Sequence, residues 1–254
     1  MKIFLSLFLL LSLSLTWAQS IPAEGTSFED TAEFLSPQKD YDSAPETWSY
    51  VFELLNSDGT ISALTSQNTS LLLKPASTMK IFSGWWAFEK KFRTDAYLSQ
   101  MLKRSVNQMA DETVQKMGGV LALTDYYGEL GLNINDETFR AADGSGLSYE
   151  NKTTCETEIA LLKLIRSNKN YERFKQFLAQ PNQVGTLQNR LNSLAGKLFA
   201  KTGTLNRTAS LAGFMETKRG TVIFCVLSDY LLIPVADARV KIDAMVRKQY
   251  ALLE

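Results

Sequence analysis

The sequence predicts an α/β fold: one antiparallel sheet built from N-terminal and C-terminal strands, flanked by helices, with a helical lobe beside it. Three observations carry this prediction. Aromatic and apolar strand-like runs begin after Thr47 and are separated by an Asp58-Gly59 hairpin signal. Helical periodicity then dominates from about residue 78 to residue 179. Finally, the chain returns to strand-like sequence three times between Lys197 and Ser228. Strands at both ends with helices between them place the two ends in one sheet, and a cleft between sheet and lobe is the natural site.

In chain order, Lys2 is followed by the apolar run Ile3 to Leu15 and then by Thr16-Trp17-Ala18, which puts small residues where a signal peptidase reads. Residues 1–18 are therefore expected to be a signal peptide, with the mature chain starting at Gln19. Ser6, Ser12 and Ser14 interrupt the run, and it is shorter than the roughly 20 residues a spanning helix needs, so no stable membrane span is expected. Residues 19–46 carry seven carboxylates against one Lys, with Pro22, Pro37 and Pro45, and read as a solvated acidic lead-in. Strands are predicted from Trp48 to Leu55 and from Thr60 to Leu64. Helices are predicted at about 78–91, 95–103, 108–117, 119–130, 156–167 and 171–179. The C-terminal strands are predicted at 197–202, 208–216 and 221–228, followed by an amphipathic helix at about 235–252. Residues 47–254 read as a single domain whose helical lobe covers about 82–180.

Composition removes whole classes of function. The chain has no histidine, which excludes every triad with a histidine base, and two cysteines are too few for the usual zinc sites, so no metal and no cofactor are expected. A hydrolase built from this chain must use Lys, Asp, Glu or Tyr. Twenty-seven basic residues balance 27 acidic ones, which gives no electrostatic footprint for a nucleic-acid partner. Cys155 and Cys225 could pair in an oxidising compartment, but both fall in or beside regular structure, where a free buried thiol is equally ordinary; both readings stay open.

Three short motifs occur in order: Ser77-Thr78-Met79-Lys80, Ser105-Val106-Asn107 and Lys201-Thr202-Gly203. Each of the first two has a second copy, at Ser36-Pro37-Gln38-Lys39 and Ser66-Gln67-Asn68. Context decides between them: Ser77 follows a predicted hairpin and opens an apolar helix, whereas Ser36 lies in the acidic lead-in and Ser66 comes too early. Residues three apart on a helix share a face, so Lys80 can reach the Ser77 hydroxyl. A lysine base works when its ammonium is destabilised, which burial and a second cation such as Lys201 can do. Ser77 is thus the expected nucleophile and Lys80 its base, with Ser105 relaying a proton to the leaving amine. Asn107 would hold a substrate amide, and Lys201, Thr202 and Thr204 would receive a terminal carboxylate. The backbone N–H groups of Ser77 and Thr204 would form the oxyanion hole.

With these motifs in place, the chain resembles the class C low-molecular-mass penicillin-binding proteins, D-Ala-D-Ala carboxypeptidases and endopeptidases of the bacterial periplasm. The resemblance extends to Pro75-Ala76-Ser77-Thr78-Met79-Lys80, Asp143-Gly144-Ser145-Gly146-Leu147-Ser148, Gly185-Thr186-Leu187 with Arg190, and Ala200-Lys201-Thr202-Gly203-Thr204-Leu205. It implies the penicillin-binding protein/β-lactamase-like transpeptidase fold, peptidoglycan stem peptides and β-lactams as partners, and a periplasmic location. Only residues 81–104 separate Lys80 from Ser105, where the family commonly carries large inserted domains, so this is a minimal form and the contacts made by those insertions do not carry over. The Asp143 loop is expected to support the site from beside it.

Two rival readings follow from the same residues. A serine β-lactamase shares the acylation machinery, and Glu129-Leu130-Gly131-Leu132-Asn133 mimics the loop that supplies its deacylating base in class A enzymes. A non-catalytic wall-binding protein on the same fold is the other, against which the intact Ser77 and Lys80 argue. Asn-x-Ser/Thr triplets begin at Asn68, Asn151 and Asn206, of the kind that arise by chance.

Overall fold

β1 (Thr47–Asn56) and β2 (Ile61–Gln67) form the expected hairpin. The turn is built as its sequence demands: Gly59 takes φ +85°, and the Asp58 carboxylate accepts from the backbone N–H of Thr60 at 2.9 Å. β5 (Leu198–Leu205), β6 (Thr208–Thr217) and β7 (Gly220–Asp229) follow at the far end of the chain. The computed structural model describes residues 46–254 and joins both ends in one antiparallel sheet of order β2-β1-β7-β6-β5. β1 pairs with β7 along its whole length, from Thr47↔Asp229 to Asn56↔Gly220. The expected signal peptide, the lead-in up to Pro45 and the second Ser-x-x-Lys at Ser36 lie outside the described residues.

Between the strand groups run α1 (Met79–Glu89), α2 (Asp95–Lys103), α3 (Asn107–Lys116), α4 (Gly119–Glu129), α5 (Cys155–Ser167) and α6 (Tyr171–Lys175), with a two-residue pair, β3 (Phe139–Arg140) and β4 (Lys152–Thr153), ahead of α5. α7 (Val235–Ala251) closes the chain. Two helices start on side-chain caps: Thr94 accepts from the Tyr97 N–H and Thr154 from the Thr157 N–H.

Three boundaries differ from the sequence expectation by three residues or more, each for a tertiary reason. α6 stops at Lys175 rather than about 179 because Ala179 is drawn to the sheet edge, where its N–H and carbonyl both bond Ala200 at 3.0 Å. β5 continues past Thr202 to Leu205 because β6 pairs with it as far as Leu205↔Thr208. β2 runs on through the polar residues Thr65, Ser66 and Gln67 because β1 supplies their ladder, so the spare Ser66-Gln67-Asn68 motif is spent on the hairpin's outer strand and its end.

Side chains alternate across the sheet and sort the core into two layers. Val222, Phe224 and Val226 of β7 lie with Phe52, Leu54, Leu211 and Met215 under Ile242 and Val246 of α7. Ile223, Cys225 and Leu227 face the other way with Val51 and Phe214, into the layer that holds α1 and α5. Cys155 and Cys225 are joined across that layer, with Cα atoms 5.6 Å apart. Within the lobe Trp85 is fully buried and meets Phe174 edge to face at 4.9 Å.

Candidate active site

The chain enters the site through Pro75 and Ala76, and Ala76 takes a left-handed φ of +49° that few residues with a side chain adopt. A single 3-10 turn, Ala76–Thr78, then runs straight into α1. This turn is held from three sides. The Pro75 carbonyl accepts from Thr78 Oγ1 at 2.9 Å and from Ser210 Oγ of β6 at 2.6 Å. Thr78 Oγ1 also lies 2.6 Å from Oε1 of Glu158 on α5. Two glycines are required by closeness alone: a Cβ on Gly146 would run into the Ala76 carbonyl oxygen, and one on Gly203 would sit 2.8 Å from the Ser77 nitrogen. β5 therefore passes directly beside the Ser77 N–H.

Ser77 and Lys80 are both buried, one helical turn apart. Lys80 Nζ lies 2.9 Å from Ser77 Oγ, 2.6 Å from Asn107 Oδ1 and 2.7 Å from the Ser145 carbonyl oxygen. That carbonyl is aimed by the Asp143 loop. Asp143 Oδ1 accepts from the N–H groups of Ser145 and Gly146, Oδ2 accepts from that of Ser148, and Asn151 Nδ2 bonds Oδ1 at 2.9 Å. Asp111 of α3 accepts from the Gly144 N–H at 3.0 Å, and its carboxyl is pushed up by burial and by the neighbouring Asp143 charge. The loop thus contacts Lys80 through a backbone oxygen, a more direct part than the sequence assigned to it. Asn151 is buried with its amide engaged inside the loop, which takes the second glycosylation triplet off the surface.

Ser105 has φ +58° and leads through Val106 into α3, whose first residue is Asn107. This left-handed residue, one before the N-cap of α3, presents Ser105 Oγ to β5, where Lys201 Nζ donates to it at 2.7 Å and to the Thr202 carbonyl at the same distance. Thr202 Oγ1 bonds Thr186 Oγ1 at 2.7 Å, and Thr204 Oγ1 accepts from Arg239 Nη2 at 2.8 Å. The structure therefore joins Ser77, Lys80 and Asn107 in one hydrogen-bonded group and Ser105, Lys201 and Thr202 in a second, with Thr204 two residues further along β5. Ser105 and Asn107, two residues apart, tie the groups together. Among the described residues, Thr186, Arg239 and the Ser145 carbonyl touch the sequence-predicted set from outside it, and Glu158 bonds Thr78 next to Ser77. Thr186 and Ser145 belong to motifs noted in the sequence; Glu158 and Arg239 make contacts that no local pattern announces. Glu129 lies at the exposed end of α4. Among the described residues no group of three or more metal-ligating side chains is assembled.

Residues 94–252 match the D-Ala-D-Ala carboxypeptidase 3 (S13) family. The D-alanyl-D-alanine carboxypeptidase DacB of Haemophilus influenzae is 29% identical over 139 residues, covering 48% of this chain and 29% of the relative. The chain spans less than a third of the length of the curated relatives it matches. A predatory endopeptidase from Bdellovibrio bacteriovorus, solved with an immunity protein, superposes with TM-score 0.70 at 14% identity, covering 82% of this chain and 94% of the other. A class A β-lactamase representative from Bacteroides cellulosilyticus gives TM-score 0.64 at 16% identity, covering 88% and 95%. These two likenesses establish the penicillin-binding protein/β-lactamase-like fold and do not separate peptidase from lactamase.

Proposed function

Because the chain belongs to the D-Ala-D-Ala carboxypeptidase 3 (S13) family, we propose that it is a serine D,D-peptidase that hydrolyses D-alanyl bonds of peptidoglycan stem peptides through an acyl-enzyme on Ser77, and that β-lactams acylate the same oxygen. The observation that carries this reading is the 2.9 Å contact between Lys80 Nζ and Ser77 Oγ, both buried. Lys80 as the neutral amine takes the hydroxyl proton while Oγ attacks the scissile carbonyl carbon. The oxyanion forms against the N–H groups of Ser77 and Thr204, whose loss costs about 100- to 1000-fold in comparable sites. When the C–N bond breaks, the leaving amine takes a proton through Ser105, which Lys201 holds at 2.7 Å. Water then enters by the reverse of the same steps. Asn107 steadies Lys80 and a substrate amide, and Lys201, Thr202 and Thr204 receive the terminal carboxylate.

β5 lies at the sheet edge, and among the described residues its outer side is bridged only at Ala200. A stem peptide in extended form would lie along β5 beside the turn that carries Ser77. Only residues 81–104 separate Lys80 from Ser105, so the cleft lacks a high wall, and cross-linked dimers and monomeric pentapeptides are both substrates. Export to the periplasm belongs to this reading and rests on residues 1–18. Among the described residues no helix is long and apolar enough to cross a membrane.

The test is intact-mass spectrometry after penicillin treatment, alongside D-alanine release from purified pentapeptide muropeptides. A single adduct lost in Ser77→Ala, with D-alanine released by the wild type, is expected. An adduct that survives the substitution overturns the assignment. Rapid turnover of the penicillin would instead favour the β-lactamase reading, against which the exposed position of Glu129 already argues.

A further inference from the structure

We infer that Arg239, near the start of α7, is the cation that reads the free carboxylate on the residue leaving the scissile bond, and that it makes the cleft prefer peptides ending in a carboxylate over the same peptides ending in an amide. The inference rests on the D,D-peptidase reading above and adds to it a specificity-determining residue from outside the three motifs.

Four observations converge on Arg239. Its Nη2 donates to Thr204 Oγ1 at 2.8 Å, so the guanidinium is anchored to β5 beside the proposed oxyanion-hole N–H. Thr202 and Thr204, two residues apart on a strand, point to the same side, which places two hydroxyls and one guanidinium along one rim. Among the described residues no carboxylate forms an ion pair with Arg239, whereas Arg190, which reaches α7 from the segment before β5, is matched by Asp243 at 2.7 Å. Finally, Lys201 Nζ is shared with Ser105 Oγ and the Thr202 carbonyl, each at 2.7 Å, so a carboxylate received beside it gains a second cation in Arg239.

The chemistry fits one ligand class. A guanidinium presents several N–H donors in a planar fork, so one can hold Thr204 while the remainder meet a carboxylate side by side. Arg239 is half-buried, and the partly dry surroundings strengthen that contact relative to one in open water. A pentapeptide tail keeps such a carboxylate next to the scissile bond, as does a cross-link made through an amine whose own carbon bears one. Conversion to an amide removes the charge and leaves the shape.

The experiment compares kcat/KM for an acylated tripeptide ending in D-Ala-D-Ala as the free acid and as the C-terminal amide, in wild type, Arg239→Ala, Arg239→Lys and Thr204→Val. The wild type should favour the acid by about 100-fold, as expected for one charge-assisted contact together with its hydroxyl partners. Arg239→Ala should lose most of the acid rate and none of the amide rate, so that the preference collapses toward unity, while Arg239→Lys keeps part of it. Thr204→Val, which leaves the charge in place, should lower the acid rate less than Arg239→Ala does. An unchanged acid-to-amide ratio in folded Arg239→Ala overturns the inference and reduces Arg239 to a strut between α7 and β5. Calorimetric binding of both peptides to Ser77→Ala, with and without Arg239→Ala, separates the two proposals. Acid-selective binding lost with Arg239 supports the inference even where the wild type turns over neither peptide, and equal binding of acid and amide to both proteins overturns it.

Discussion

The two faces of the sheet share the same alternation and differ in chemistry. Under α7 the layer is hydrocarbon: Phe52 and Phe224 stack at 5.4 Å, surrounded by Leu54, Leu211, Val222, Val226, Ile242 and Val246. On the other face, beneath the turn that carries Ser77, polar groups are set into an otherwise similar core. Ser210 and Thr78 both bond the Pro75 carbonyl, Glu158 meets Thr78, and the Cys155–Cys225 link lies beside Glu158. Buried polar groups cost stability unless paired. Here their bonds converge on one turn, so this face gives up cohesion in exchange for aim. The α7 face holds the sheet together, and its reach toward the site is through Arg239 to Thr204 rather than to the Ser77 turn.

Substitutions on the two faces should therefore separate rate from stability. The largest effect is expected from Lys80→Arg: a guanidinium does not act as a base at accessible pH, so acylation by a fluorescent penicillin should slow by about 100- to 10,000-fold. Retention of most of the rate would move the base elsewhere. On the opposite face, Phe224→Ala should cost about 3–5 kcal/mol in chemical denaturation while leaving the acylation rate of the folded fraction unchanged. A slowed rate there would break the division between the faces.

Glu158 sharpens the comparison through pH. Its carboxyl is fully buried, and desolvation pushes its pKa up to about 8, partly offset by the bond to Thr78. With the folded value above the ordinary 4.5, this group costs nothing extra below about pH 4.5. As pH rises from there toward about 8 the unfolded chain ionises and the folded one does not, so stability falls across that window and levels off above it. Glu158→Gln should flatten the window and raise stability near pH 7 by up to about 3 kcal/mol, read from urea melts at pH 4.5 and pH 7. Equal pH profiles for variant and wild type would show that the neighbouring groups, not Glu158, set the slope. The smallest effect is expected from Ser210→Ala, which removes one of two side-chain bonds to the Pro75 carbonyl. It should cost about 1 kcal/mol in stability, with a reduction in acylation of about tenfold or less.

The sheet and the ordering of its two halves were legible because they rest on local signals: Asp58-Gly59, and strand-like runs of apolar residues at both ends of the domain. The three motifs were legible as well, since Ser-x-x-Lys spacing on a helix fixes one shared face wherever the helix goes. Contacts that depend on distant segments were not legible. Glu156 and Glu158 look alike in sequence, yet one is exposed and the other fully buried, because only the docking of α5 on the sheet decides which faces inward. The pairing of Cys155 with Cys225 was likewise undecided until that docking set their separation. Arg239 meets Thr204 across 35 residues of chain, and nothing in its own helix marks it. The early end of α6 follows from a bridge to Ala200 that helix propensity cannot anticipate.

The pairing of β1 with β7 also governs when the site can come into being. The strand that opens the domain has its full-length partner only after the whole lobe and two further strands have been made. That contact spans most of the polypeptide, and such pairings delay folding because chain entropy must be lost long before they form. Until then the turn that carries Ser77 lacks Ser210 and Gly203 on one side and the docked Glu158 on the other. An emerging or partly refolded chain therefore carries Ser77 and Lys80 one helical turn apart without the walls that align them, and competence for acylation should arrive late and all at once, with closure of the sheet. Refolding followed by fluorescent penicillin capture and by far-UV circular dichroism should show the helical signal recovering first and capture lagging behind it.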